Sequence, residues 1–139
     1  MMEDNYYYNG KIKTLCANNK LMVKTNTNNL ILVCNIANNN LIGNTKEYYY
    51  DDFHKKHHTV FDGEYKNGLR NGKGIEYDFE DDFDEHYKCY EGEYKNGLRN
   101  GKGMEYVFIQ VAGTVYKEFE GEYKNGLRNG KGTEYYFEF

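Results

Sequence analysis

The sequence predicts an all-β protein, an elongated, twisted, single-layered antiparallel sheet made of consecutive β-hairpins. Three observations predict it. A twelve-residue segment, Gly-Glu-Tyr-Lys-Asn-Gly-Leu-Arg-Asn-Gly-Lys-Gly, recurs without a change at 63–74, 92–103 and 121–132. The apolar fraction is largely aromatic, with 16 Tyr and 8 Phe, while Leu, Ile and Val are scarce after residue 60. Flat rings suit a pleated, half-buried surface better than a thick aliphatic core. Finally, 15 Gly and no Pro point to many tight turns.

Each copy of the segment extends the same way on both sides. An aromatic residue and an acid precede it, Phe61-Asp62, Tyr90-Glu91 and Phe119-Glu120. One variable residue and then Glu-Tyr follow, ending at Tyr77, Tyr106 and Tyr135. The period is 29 residues, of which 17 are nearly fixed. On the outgoing strand, alternation puts Phe61, Gly63 and Tyr65 on one face and Asp62 and Glu64 on the other. Gly63 leaves room for a ring to lie against the backbone. The stretch 67–72 holds two Asn-Gly pairs, the strongest short-range hairpin signal, because both residues tolerate positive φ. The chain is expected to return from Lys73 to Tyr77. The variable parts continue the ladder, turning at 80–85 in one linker and 111–114 in the next. Stacked repeats then advance the sheet by about 10 Å each.

This pattern resembles the MORN repeat, which runs aromatic, acid, Gly, acid, aromatic, Lys-Asn-Gly, a basic turn, Gly-Lys-Gly and an aromatic. Residues 61–77, 90–106 and 119–135 carry the resemblance. It covers 51 of the 139 residues directly and about 79 with the linkers. Two departures stand out. The usual repeat is shorter, and its second aromatic, often Trp, is here Tyr65, Tyr94 and Tyr123. The resemblance implies a sheet whose faces and edges bind other molecules.

Upstream, the pattern wears away. Moved by one period, Lys46-Glu47-Tyr48 falls on Ile75-Glu76-Tyr77. Earlier still, Asn9-Gly10, Asn18-Asn19, Asn28-Asn29 and Asn39-Asn40 each precede a short apolar run. Strands joined by Asn turns are favoured there over a disordered arm. The chain therefore divides into an Asn-rich β segment at 1–45 and a repeat array at 46–139.

Composition excludes several classes. Net charge is −4, split into about +2 over residues 1–60 and −6 over 61–139, so no basic excess recommends nucleic acid as a partner. Cys16, Cys34 and Cys89 are scattered singly, as buried or idle thiols of a reducing compartment are. The first residues lack the basic start and apolar run of a signal peptide, and no apolar stretch is long enough to span a bilayer. An intracellular protein is expected, cytoplasmic or peripheral to membrane or cytoskeleton, with a virus particle as a further location. Heavy use of Asn, Lys, Tyr and Ile reflects AT-rich coding, as in a protist or a large DNA virus.

Four candidate features follow. Lys66, Arg70 and Lys73 recur as Lys95, Arg99, Lys102 and as Lys124, Arg128, Lys131, and stacking would align them as a basic stripe. Such a stripe suits anionic phospholipid headgroups, a role proposed for MORN proteins, but a solvated rim paired with Glu64, Glu76 and their counterparts is favoured. Phe61, Tyr65, Tyr77, Tyr90, Tyr94, Tyr106, Phe119, Tyr123 and Tyr135 form an aromatic face, read as the sheet's own core with a partner groove as the alternative. Tyr135, Tyr136, Phe137 and Phe139 read as an aromatic edge strand open to homodimer pairing. His54, His57 and His58 read as a solvated linker and Asp81, Asp82 and Asp84 as a charged loop tip, so no metal is expected.

No nucleophile elbow, no phosphate-binding Gly loop at a helix start and no Cys–His pair at a recognisable spacing is present. No catalytic residue and no cofactor is expected. The leading function is a non-enzymatic scaffold for protein–protein interaction. The alternatives are a peripheral membrane adaptor and a structural component of a cytoskeletal assembly or virus particle.

Overall fold

A computed structural model describes residues 5–8, 11–15, 21–24, 30–37 and 40–138, with side chains at 32, 33 and 41–138. The chain is all-β, with one short 3-10 turn at Asp81–Phe83 among the described residues. Two compact units, Met1–Gly68 and Leu69–Phe139, meet in the chain at a turn.

The first unit holds β1 (Asn5–Tyr8), β2 (Lys11–Leu15), β3 (Leu21–Lys24), β4 (Leu30–Ala37), β5 (Asn40–Asp51) and β6 (Lys56–Lys66). Each strand pairs antiparallel with the next. The Asn residues expected to turn the chain at 9–10, 18–19, 28–29 and 39 lie outside the described residues, as do Cys16 and Phe139 and the side chain of Cys34. The second unit holds β7 (Leu69–Glu80), β8 (Glu85–Lys95), β9 (Leu98–Ile109), β10 (Thr114–Lys124) and β11 (Leu127–Glu134), again paired in sequence. Both are antiparallel sheets of consecutive hairpins, and the linkers turn at 81–84 and 110–113 as the sequence predicts.

The 29-residue period fixes the register as well as the turns. Glu47 stands opposite Phe61, Glu76 opposite Tyr90 and Glu105 opposite Phe119. Just beyond each pair the ladder slips by one residue, so that Tyr48, Tyr77 and Tyr106 oppose Thr59, Lys88 and Lys117. Repeat geometry thus reaches back through β5, where Gly43 has φ 77° and faces Tyr65 much as Gly72, with φ 106°, faces Tyr94.

The hairpins turn more tightly than expected. Only Asn67-Gly68, Asn96-Gly97 and Asn125-Gly126 form the turns, with φ of 50–52° at Asn and 80–87° at Gly. Positive φ at both central residues marks a type I′ turn, which matches the twist of the strands it joins. The return strand therefore begins at Leu69, Leu98 or Leu127, four residues earlier than the sequence reading placed it. The second Asn-Gly pair sits inside the strand as a bulge. There Glu93 opposes the stretch 100–102 and its carboxylate accepts the Lys102 N–H at 2.5 Å.

In each unit the core is built on buried rings. Phe61 and Tyr65 are buried in the first unit with Leu32, Leu41 and Thr45. In the second unit Tyr90, Tyr94, Phe119 and Tyr123 are buried, with Phe108. In the second unit the leading rings Tyr90 and Phe119 lie against backbone. A Cβ added at Gly103 would meet Tyr90 Cε2 at 2.6 Å and Cζ at 2.7 Å, and one at Gly132 would meet Phe119 Cε1 at 2.6 Å. The facing Gly92 and Gly121 are crowded by the same rings. Glycine is therefore required for space at these positions, and the ring gains contact along a peptide surface that a side chain would occupy.

Tyr77, Tyr106 and Tyr135 do not join these buried rings. Directly opposed residues share a face, so it is Glu76 and Glu105 that stand beside Tyr90 and Phe119, while the adjoining tyrosines point to the other side. The expected edge strand over 135–139 also changes: β11 ends at Glu134. The Tyr135 N–H bonds to the Glu118 carbonyl at 2.9 Å, the residue at which β10 slips register, and Phe137 packs on Tyr116 with centroids 4.3 Å apart.

Replacing Gly103 by Ala is expected to destabilise the chain by about 2 kcal/mol through overpacking against Tyr90. Lys102→Ala beside it should stay within about 0.5 kcal/mol. Denaturant unfolding of the two variants checks this.

Candidate functional site

The fixed residues of the repeat build a clamp over each ring. In the second unit the Arg99 guanidinium lies 4.2 Å from the centre of the Tyr90 ring and Arg128 lies 4.2 Å from that of Phe119. Each arginine also reaches a glutamate. Arg99 Nε donates to Glu76 Oε2 at 2.7 Å, and Arg128 grips Glu105 with Nε at 3.0 Å and Nη2 at 2.8 Å. The same carboxylates accept from the second tyrosine, Tyr94 Oη to Glu76 at 2.7 Å and Tyr123 Oη to Glu105. Arg70 extends the pattern with a 3.5 Å ion pair to Glu76. In the first unit Tyr65 Oη donates to the buried Glu47 at 2.8 Å.

A cation over a ring is stabilising, and more so when the bidentate pairing holds it there. Tyr94 and Tyr123 have their phenol pKa raised, first by burial and then by the hydrogen bond to a carboxylate. Burial likewise pushes Tyr90 up to about 12. The Glu105 carboxyl is held below its usual value of 4.5, chiefly by the Arg128 hydrogen bond. These groups stay in fixed charge states near neutrality, as structural pairs do.

The cations expected to form one stripe thus separate by face. Arg70, Arg99 and Arg128 lie on the ring side, with side chains 24%, 27% and 36% exposed. Lys66 is exposed at the end of β6 in the first unit. Lys73, Lys95, Lys102, Lys124 and Lys131 are exposed in the second unit, where alternation turns them to the opposite face. There acids interrupt them, since Lys73 opposes Glu93 and Lys102 opposes Glu122. Two further ion pairs sit on that face, Lys88–Glu91 at 2.9 Å and Lys117–Glu120 at 3.0 Å. The same lysines lie over Tyr106 at 4.7 Å and Tyr135 at 5.3 Å. Tyr77 stacks on His86 at 5.0 Å. Tyr136 stands exposed, its hydroxyl on Glu134 at 3.1 Å.

A feature not singled out from the sequence runs along the turn margin of the second unit. Leu69, Leu98 and Leu127 open successive return strands and are 48%, 49% and 73% exposed. Backbone bonds hold the turns at a fixed spacing, Gly97 N–H to Arg70 O at 2.8 Å and Gly126 N–H to Arg99 O at 2.9 Å. A Cβ added at Gly97 would meet Leu69 Cδ2 at 3.5 Å, and one at Gly126 would meet Leu98 Cδ2 at 3.7 Å. The signal was available: a leucine invariant among the repeats and flanked by turn residues has no inward direction to take.

Burial pushes the Cys89 thiol up to about 11, which leaves it a poor nucleophile at neutral pH. Asp81 and Asp82 are exposed in the 3-10 turn and Asp84 ends it in the left-handed region with φ 49°. Asp51, His54 and His58 converge at the β5–β6 turn.

Side-by-side hairpins with an invariant ring, glycine pair and Arg–Glu clamp define a β-repeat protein. The MORN repeat matches at residues 61–78, 90–106 and 119–137, so the chain carries three MORN repeats. No curated protein matches the chain significantly. MORN repeats are generally non-catalytic modules of protein and membrane interaction.

Glu105→Gln removes the charge that Arg128, Arg99 and Tyr123 share, at a position 20% exposed. A loss of about 1 kcal/mol at neutral pH is expected. A carboxyl with a lowered folded pKa stabilises above its unfolded value and loses that contribution as pH falls through the folded one. The gap between wild type and variant should therefore close on acidification below the usual carboxyl value of 4.5. Unfolding curves across that range measure it.

Proposed function

We propose that this chain is a non-enzymatic scaffold that binds other proteins. The observation that carries the reading is the row Leu69, Leu98 and Leu127, half-exposed or more at every return strand of the second unit. Regularly spaced apolar side chains on a rigid margin suit the apolar anchors of a protein partner.

The membrane reading draws on the exposed lysines and stands second. Its arginines are engaged by Glu76 and Glu105, and Lys73 and Lys102 face acids across the ladder. Alternating charge gives a weak field at a distance, whereas anionic lipid is gathered by uninterrupted positive charge. A cytoplasmic setting suits a scaffold of this kind, and neither a cofactor nor nucleic acid enters the reading.

Cross-linking in cells of the source is expected to capture specific protein partners that are depleted when Leu69, Leu98 and Leu127 are all changed to Ser, with the far-ultraviolet dichroism of the variant unchanged. Purified protein is expected not to float with anionic vesicles at low salt. Salt-sensitive flotation abolished by Lys95→Glu together with Lys124→Glu would instead establish the membrane adaptor.

A further inference from the structure

We propose that the turn between β5 and β6 is a binding site for a divalent transition-metal ion of the zinc class, ligated by Asp51, His54 and His58. One carboxylate oxygen, Asp51 Oδ2, lies 2.5 Å from His54 Nδ1 and 2.9 Å from His58 Nε2. The three ligand atoms all lie within 4.8 Å of one another. A tetrahedral zinc centre with bonds of roughly 2.1 Å sets its ligand atoms about 3.4 Å apart. Small rotations of the two rings therefore open the cluster to the size of the ion.

The local fold prepares this arrangement. Asp51 ends β5, and its other oxygen, Oδ1, accepts the backbone N–H groups of Phe53 at 3.0 Å and His54 at 3.1 Å. That pair of bonds fixes the carboxylate and aims Oδ2 at the imidazoles. His58 comes from the returning strand, opposite Tyr49 and two residues beyond Lys56, which opposes Asp51 itself. Lys55 turns the chain with φ 56°. Side-chain exposure rises outward, 10% at His58, 16% at Asp51 and 33% at His54. The ion would have an inner wall of protein and an outer position for water.

Surrounding charge is mixed. Lys55 and Lys56 oppose a cation, Asp52 favours one, and His57 is directed to the Tyr50 ring at 4.9 Å. An aspartate carboxyl is ionised at neutral pH, so Asp51 supplies the anion a metal needs. Two nitrogens and one oxygen select zinc, nickel or copper over calcium and magnesium, which prefer all-oxygen shells. Bound there, the ion would tie the two strands of the hairpin together across its turn.

Zinc titration of tag-free, full-length protein by calorimetry, with cobalt absorption as a second readout, tests the assignment. One ion per chain is expected at neutral pH, with affinity falling at least tenfold in Asp51→Asn and in His58→Ala. Zinc should raise the melting temperature of the wild type and not of these variants. His86→Ala and Asp82→Asn should bind as the wild type does. Should His58→Ala fail to fold, His54→Ala decides the matter, because its ring is at the surface. Absence of binding at millimolar zinc, or unchanged binding in His54→Ala and His58→Ala, would overturn the site and leave the cluster an imidazole–carboxylate pairing alone.

Discussion

A ring laid flat on two glycines is the contact on which the second unit is built. A single sheet has no second layer to cover its apolar face, so each ring needs a surface beneath it and a cover above. Gly92 and Gly103 provide the surface for Tyr90, and Gly121 and Gly132 provide it for Phe119. Arg99 and Arg128 provide the covers. Glu76 and Glu105 then hold those arginines and also accept from Tyr94 and Tyr123. Each carboxylate belongs to the strand of the repeat before, so the clamp that finishes one ring also fastens it to its neighbour. The glycines, arginines, glutamates and second tyrosines of this arrangement recur unchanged, and the leading position is always aromatic, Phe61, Tyr90 or Phe119.

The arrangement also decides what remains for function. Arginine is consumed by the clamp because its planar fork lies over a ring while presenting several N–H groups to a carboxylate, a geometry that the single ammonium of lysine does not reproduce. Lysines are left on the far face among acids, and leucines are left on the turn margin. The proposed scaffold role draws on that apolar row. The β5–β6 turn stands apart, since its Asp–His–His cluster takes no part in the ring layer.

Much of this was legible in the sequence. Twelve invariant residues at a 29-residue period announce hairpins, and Asn-Gly places their turns. Alternation along 61–65 puts Phe61 and Tyr65 on the core face, where both are buried. The return strand was harder. Two Asn-Gly pairs compete for the turn, and only the first takes it, because a bulge at Gly101 or Gly130 absorbs the second. That bulge shifts the apparent phase, and Glu76 rather than Tyr77 takes the place beside Tyr90. The arginine clamp was hidden for the same reason: a basic residue read as part of a turn reads as solvated, and the return strand in fact begins at Leu69, four residues earlier than expected. The equivalence of Glu47 with Glu76 was visible in spacing, but not the worn glycine pair behind it, where Thr45 is fully buried. Convergence of Asp51 with His58 needs the hairpin closed, since seven residues separate them in the chain.

A double-mutant cycle on Phe119 and Gly132 tests the central claim most directly, because it asks whether the glycine exists for the ring. Gly132→Ala should cost about 2 kcal/mol in the wild-type background. In a Phe119→Leu background the same change should cost less than half of that, a coupling of about 1 kcal/mol between the two sites. Additive costs would contradict the account. They would mean that the glycine serves the backbone alone and that the ring does not rest on it.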